Sequence, residues 1–197
     1  MLAEIWRNVR LAIVTFLIFG IAYSVIVLGI GQALFPRQAN GSLVTRGGRV
    51  VGSMLIGQAV TSKDLFQDRP SATVNPQTGK PEPYAANNSG GSNLGPTNRA
   101  LVQAVRSDIA AIRPLVGPGP IPANLVESSG SGLDPEITLQ SALLQVPGLA
   151  KRTGISAGRL RALVLREVRG PSLDLYGPQR VNVLQLNLAL RRLEAKR

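Results

Sequence analysis

The chain has 197 residues, with 22 Lys/Arg against 11 Asp/Glu, a net charge of +11, and neither Cys nor His. These absences exclude disulfide support, zinc sites of the usual Cys/His kind and every His-based catalytic triad or dyad. Residues 151–197 hold eleven Lys/Arg against Glu167, Asp174 and Glu194, an excess that attracts lipid headgroups or an acidic partner; with Tyr176 its one aromatic, this segment offers nucleic acid no stacking platform.

An uncharged apolar stretch, Leu11–Phe35, dominates the N-terminal end. As a helix it spans roughly 37 Å, more than the ~30 Å hydrocarbon core of a bilayer. A soluble core helix would carry a polar stripe, whereas Thr15, Tyr23, Ser24 and Gln32 are scattered. A cleaved signal has a shorter apolar run, although Gly31-Gln32-Ala33 has the small-x-small form of a cleavage site. The stretch reads as an anchor: residues 1–35 form a tail and one transmembrane helix, and residues 36–197 one soluble domain. Arg7 and Arg10 precede it and Arg37, Arg46 and Arg49 follow, so the positive-inside count is undecided. Gly20 and Ser24, and Gly29 and Ala33, are spaced four apart, which lets a second helix approach closely.

Pro36 stops the helix and Asn40-Gly41 marks a turn. Leu43-Val44 and Val50–Ile56 around Gly47-Gly48 predict a short hairpin. Residues 67–97 are rich in Pro, Gly, Asn and Ser and aperiodic, a loop of about thirty residues where 4–6 are usual, hence disordered or functional. Thr97 is the expected cap of a helix carrying Leu101, Val105, Ile109 and Ile112 on one stripe and ended by Arg113-Pro114. Gly117–Pro122 is a stiff connector. Thr138 is expected to cap Leu139–Gln145, with Val146-Pro147 interrupting before Gly148–Thr153. Ser156 caps Ala157–Arg169, which buries Leu160, Leu163, Val164 and Val168, and Asn182 caps Val183–Lys196. Val181–Leu190 also fits a strand in part; Arg191-Arg192 at its end favours a helix. The fold class is α+β: one N-terminal transmembrane helix, then a single mostly helical α+β domain with a long irregular loop.

Chemistry is sparse. Gly90–Thr97 has the frame of a phosphate loop, but Pro96 stands where Lys is needed and no clear strand leads in. A serine–lysine hydrolase would use Ser53 with Lys63, Lys80 or Lys151, and would need that lysine buried. Asp134-Pro135-Glu136 is the only close acidic pair; a structural cap is a far better reading than a metal site. The residues alone describe an anchored domain without a credible catalytic set.

Seven blocks carry a family resemblance in order: Phe35–Leu43, Gly52–Gln58, Asp68–Ala72, Ser89–Leu94, Gly95–Asn98, Ser129–Pro135 and Arg180–Leu190. Together they resemble the C subunit of the Kdp-type potassium-transporting P-type ATPase. The resemblance implies a non-catalytic accessory subunit of an inner-membrane complex for potassium uptake. Its implied partners are a channel-like potassium-translocating subunit, a P-type ATPase catalytic subunit, a small single-span subunit and the lipid bilayer, with no nucleic acid. The implied topology is a cytoplasmic N-terminus with the domain extracytoplasmic, over the outer mouth of the channel-like subunit. No cofactor is expected in this chain; ATP, Mg²⁺ and K⁺ belong to the complex. Help with ATP binding by the catalytic subunit has also been proposed for this family, and the missing Lys of Gly90–Thr97 argues against a direct role. Candidate partner contacts are Gly20, Ser24, Gly29, Ala33, Ser89, Gly90, Gly91, Ser92, Asn93, Asp134 and Asn182. Two departures stand out. Thr73–Pro83 is longer and richer in Pro than the family usually shows, and Gly148 replaces a common Arg.

Overall fold

The computed structural model describes residues 1–173 and 175–195. Two compact units divide the chain, Met1–Leu43 and Val44–Arg197.

In the first unit Leu2–Leu34 is one continuous helix, long and apolar enough to cross a membrane, with none of its apolar window buried. It is α-helical over Leu2–Thr15 (α1) and Tyr23–Leu34 (α2), joined by a π-helical stretch, Phe16–Ala22. Thr15 and Ser24 donate their hydroxyls to the carbonyls of Leu11 (2.8 Å) and Gly20 (2.9 Å), so neither leaves an unsatisfied donor in an apolar surrounding. Phe35 leaves helical geometry at φ −132°, and Pro36 opens the short turn Pro36–Ala39 (α3) at the position where its missing N–H costs nothing.

The second unit starts within the expected hairpin, β1 (Leu43–Arg46) and β2 (Arg49–Ser53). Its two-residue turn, Gly47-Gly48, has φ +57° and +76°, the left-handed pair that matches strand twist and favours glycine. Residues 67–97 form no helix and only one isolated bridge, Val74 to Pro81. The Pro-rich excursion folds on itself. The Asn75 carboxamide accepts from Gln77 and Thr78 N–H (3.0 and 2.9 Å), and Asn75 N–H donates to Lys80 O (2.8 Å).

Four helices follow: α4 (Arg99–Val116), α5 (Leu139–Thr153), α6 (Ala157–Arg166) and α7 (Val183–Glu194). Thr138, Ser156 and Asn182 cap α5, α6 and α7 as expected, each side chain accepting an N–H three residues on. Asn98, not Thr97, caps α4, its Oδ1 accepting from Ala100 N–H at 2.8 Å. Neither proline stops its helix: α4 runs through Pro114 to Val116, and α5 through Pro147. Each proline removes one amide hydrogen bond, but buried Leu115 and Val116, and Val146 and Leu149, hold the flanking turns in the core. Helix α6 ends at Arg166, three residues early, because Val168-Arg169 (β4) joins a sheet. The expected last residue of α7, Lys196, lies outside the described residues.

That sheet has the order β3-β5-β4, with β3 (Glu136–Thr138) and β4 both antiparallel to β5 (Arg180–Asn182). The strands are two or three residues long, too short for a periodic signal. Strand β5 runs directly into α7, so the strand-like reading of Val181 holds for the residues before the cap. Glu136 lies between Arg180 (2.7 Å) and Arg169 (3.8 Å) across these strands. The helices enclose one core of Ile112, Leu115, Val146, Leu149, Leu160, Val164, Leu186 and Leu190, with Phe66 from the preceding loop fully buried in it. At Gly148 a Cβ would collide with the Leu115 carbonyl and lie 2.9 Å from its Cα, so α5 passes α4 at a point where no side chain fits.

Candidate functional site

The loop blocks that are scattered in sequence meet in the second unit, and polar side chains bonded to backbone bring them together. Asn187, on the core face of α7, spends its carboxamide on one residue: it accepts from Phe66 N–H and donates to Phe66 O, both at 2.9 Å. Gln145 does the same from α5, accepting from Gln67 N–H (2.7 Å) and donating to Gln67 O (3.1 Å). Asn182 caps α7 with its Oδ1 and donates its Nδ2 to Met54 O (2.9 Å). The three pin residues 54–67, which form no regular strand or helix beyond one bridge at Ile56, to the helical core.

A second layer lies over that loop. Gly57 N–H donates to Leu133 O (2.8 Å), and a Cβ at Gly57 would strike the Tyr84 ring and the Asp134 carbonyl. Ser71 Oγ donates to Gly132 O (2.7 Å) and accepts from Tyr84 N–H (2.9 Å). The Ser89–Asn93 block packs on Ser129–Gly132: Gly90 N–H and Ser89 Oγ both donate to Ser131 O, at 2.8 and 3.1 Å. A Cβ on Gly91 would come within 3.0 Å of Gly130 O; Gly132, at φ +67°, has Gly90 O and a Thr73 methyl against it. Glycine is needed at Gly132 for the two loops to touch, and at Gly91 the fit is tight. Ser89 and Asn93 are exposed, with Gly90, Gly91 and Ser92 half-buried beneath them.

An ionic cluster joins the layers. Arg69 pairs with Asp134 at 2.8 Å, and Asp134 Oδ1 also accepts from Glu136 N–H at 3.0 Å, which makes it the turn cap expected of it. Tyr84 Oη donates to Arg69 O at 2.6 Å. Asp68 Oδ1 accepts from Arg69 N–H (2.9 Å), yet burial pushes its carboxyl up to about 7, with the Asp134 charge adding to the rise. Burial and the same carboxylates push the Tyr84 phenol well above its ordinary range. Among the described residues Arg69 Nε is buried without a hydrogen-bond partner.

Of the candidate contacts, the structure thus ties Ser89, Gly90, Asp134 and Asn182 into a hydrogen-bonded scaffold and packs Gly91 against it, with Ser92 and Asn93 continuing the same loop. In the first unit Gly20, Ser24, Gly29 and Ala33 are exposed. The Phe16 ring lies 3.2 Å from where a Gly20 Cβ would be, so side chain already fills that notch; nothing comes within 4 Å at Gly29. Sequence reasoning missed Asn187, Gln145, Arg69 and Tyr84 as organisers. Two of them carried a signal, a carboxamide at a helix position flanked by core residues.

The side chains brought together here make hydrogen bonds and ion pairs. Ser53 Oγ accepts from Leu55 N–H, and Lys63, Lys80 and Lys151 are exposed, lacking the burial a lysine base requires. Gly90 N–H is already bonded to Ser131 O, and α4 starts beyond Gly90–Thr97. No group of three Asp/Glu among the described residues is placed to hold a metal ion.

Residues 5–192 match the family described as KdpC: K+-transporting ATPase, c chain. The chain belongs to this family. It is 47% identical over its whole length to the potassium-transporting ATPase KdpC subunit of Methylobacterium nodulans, which is covered completely. The subunit of the same name from Rhodopseudomonas palustris is 48% identical over 93% of this chain and 96% of its own. That of Methylorubrum extorquens is 48% identical over 88% and 89%. Membership makes the chain a subunit of a K⁺-transporting ATPase, and its helix Leu2–Leu34 is long and apolar enough to cross a membrane.

Proposed function

We propose that this chain is the non-catalytic accessory subunit of an ATP-driven potassium uptake complex, holding the assembly together and capping the outer entrance of a channel-like subunit. The observation that carries the reading is the convergence of Gly52–Gln58, Asp68–Ala72, Ser89–Asn93 and Ser129–Pro135 on one rigid scaffold whose polar groups are spent on each other's backbone. Such a scaffold presents a fixed surface, Ser89 and Asn93 outermost, and among the described residues holds no nucleophile–base pair.

On this reading K⁺ is the cargo of the channel-like subunit, and ATP and Mg²⁺ belong to the catalytic subunit. The helix Leu2–Leu34 crosses the inner membrane once with its N-terminus cytoplasmic, and Gly29 and Ala33 give a partner helix, such as that of the small single-span subunit, room to approach. A basic domain repels K⁺. The exposed Lys151, Arg152, Arg159 and Arg161 therefore face an acidic partner surface or headgroups, away from the ion path. Purification in mild detergent through a tag at Arg197 tests the whole. Co-elution of a channel-like subunit and a P-type ATPase, with K⁺-stimulated hydrolysis that falls when this chain is absent, is expected. Recovery of the chain alone at every detergent strength would refute it.

A further inference from the structure

Between Glu4 and Asp64 the sequence has no acidic residue, yet it places Arg46 and Arg49 there. The two flank the Gly47-Gly48 turn, and a two-residue hairpin loop sets its flanking residues opposite each other on one face. Like charges so paired destabilise a hairpin unless an anion lies between them. Here both side chains are exposed, and among the described residues neither makes an ion pair or a side-chain hydrogen bond. Among the described residues Arg69, Arg166, Arg169, Arg180 and Arg191 find carboxylates, whereas exposed Arg99, Arg106, Arg159 and Arg161, like Arg46 and Arg49, do not. On the other face of the same hairpin, Leu43 and Val50 are 53% and 58% exposed. A basic tip with bare apolar side chains is the pattern of a segment seated at a bilayer interface, apolar atoms at the acyl boundary and guanidinium groups on phosphates. Twelve residues, 35–46, connect the end of the N-terminal helix to the last residue before the turn.

We infer that the β1–β2 hairpin docks on the bilayer through anionic phospholipid headgroups held between Arg46 and Arg49. The inference rests on the reading of Leu2–Leu34 as a membrane-crossing helix, and on no particular partner subunit.

Because the chain has no cysteine, Val50→Cys in the full-length protein gives a single site for a nitroxide spin label. The labelled chain is reconstituted in phosphatidylcholine vesicles with and without phosphatidylglycerol, and collision with oxygen is compared with collision with a water-soluble nickel complex. The label is expected to be shielded from nickel in the anionic vesicles only. Arg46→Gln with Arg49→Gln should lower the ratio of docked to free tips about thirty-fold, and Arg46→Lys with Arg49→Lys should largely restore it. Equal nickel access in both vesicles would overturn the inference. So would shielding that survives the glutamine pair, since charge would then play no part, or shielding that appears only when other subunits are added, which would assign the tip to a protein surface. A chain that fails to float with vesicles at all would overturn the membrane-crossing reading instead.

Discussion

Asp68 should make this domain lose stability as pH rises through neutrality, the reverse of an ordinary paired carboxylate. Its carboxyl sits near the Arg69–Asp134 pair and the Tyr84 phenol, and Lys63, Arg152, Asp108 and Arg191 line the clefts on either side. Burial raises it from 3.8 to about 7, so the folded protein keeps a proton that the unfolded chain gives up. The contribution is whole below the unfolded value and is lost as pH climbs through about 7. The full shift is on the order of 4 kcal/mol, of which about 3 kcal/mol falls between pH 5 and pH 8. Asp68→Asn retains an oxygen for the Arg69 N–H and has no charge to bury. Full-length chain in detergent, melted at both pH values with the near-ultraviolet circular dichroism of the domain's tyrosines as the signal, should show a drop of roughly 10 °C in the native protein and a much smaller one in the variant. Asp108, also raised by burial, leaves a residual slope of the same sign in both. An unchanged pH slope in Asp68→Asn would refute the reasoning.

Asn187→Ala strands the Phe66 N–H and carbonyl inside the core and should cost about 2–4 kcal/mol in urea unfolding. Gly148→Ala forces α5 off the Leu115 carbonyl, and a loss of about 1–3 kcal/mol is expected, with most of it recovered nowhere by conservative replacement because even a methyl group does not fit. Gly29→Leu fills an open face of the membrane helix and should reduce co-purification of other subunits while leaving the melting of the domain unchanged; Gly20→Leu, where Phe16 already lies, should do less.

The helices and their caps were legible because capping needs one named side chain at one position. Thr138, Ser156 and Asn182 each announce a start. The ends were less so. Pro114 and Pro147 look like stops to a local rule, and only the tertiary burial of the turns around them explains why the helices continue. The sheet was invisible because strands of two or three residues have no period, and Val168 was as good a helix residue as a strand residue until Val181 lay opposite it. The loop was read correctly as irregular, but nothing local foretold its order. Its bonds come from far along the chain: Gln145 holds Gln67 from 78 residues away, Asp134 and Gly132 hold Arg69 and Ser71 from 65 and 61, and Ser131 holds Ser89 from 42. Of the candidate site, the residues Ser89–Asn93 and Asp134 were named through the family's blocks; Arg69 lay in the Asp68–Ala72 block without being singled out, and Tyr84, which bonds to its carbonyl, lay in none.

The long reach of those carboxamides governs when the domain becomes whole. Met54 waits for Asn182 and Phe66 for Asn187, separations of 128 and 121 residues in a chain made from its N-terminus onward. The loop around Phe66 therefore has no permanent place until the final helix has been synthesised and has docked. Closing such distant pairs is slow relative to forming the helices themselves. A ribosome stalled before α7, or a chain clipped there, leaves an anchored ribbon with its aromatic core plug exposed, which is the form a quality-control protease would recognise.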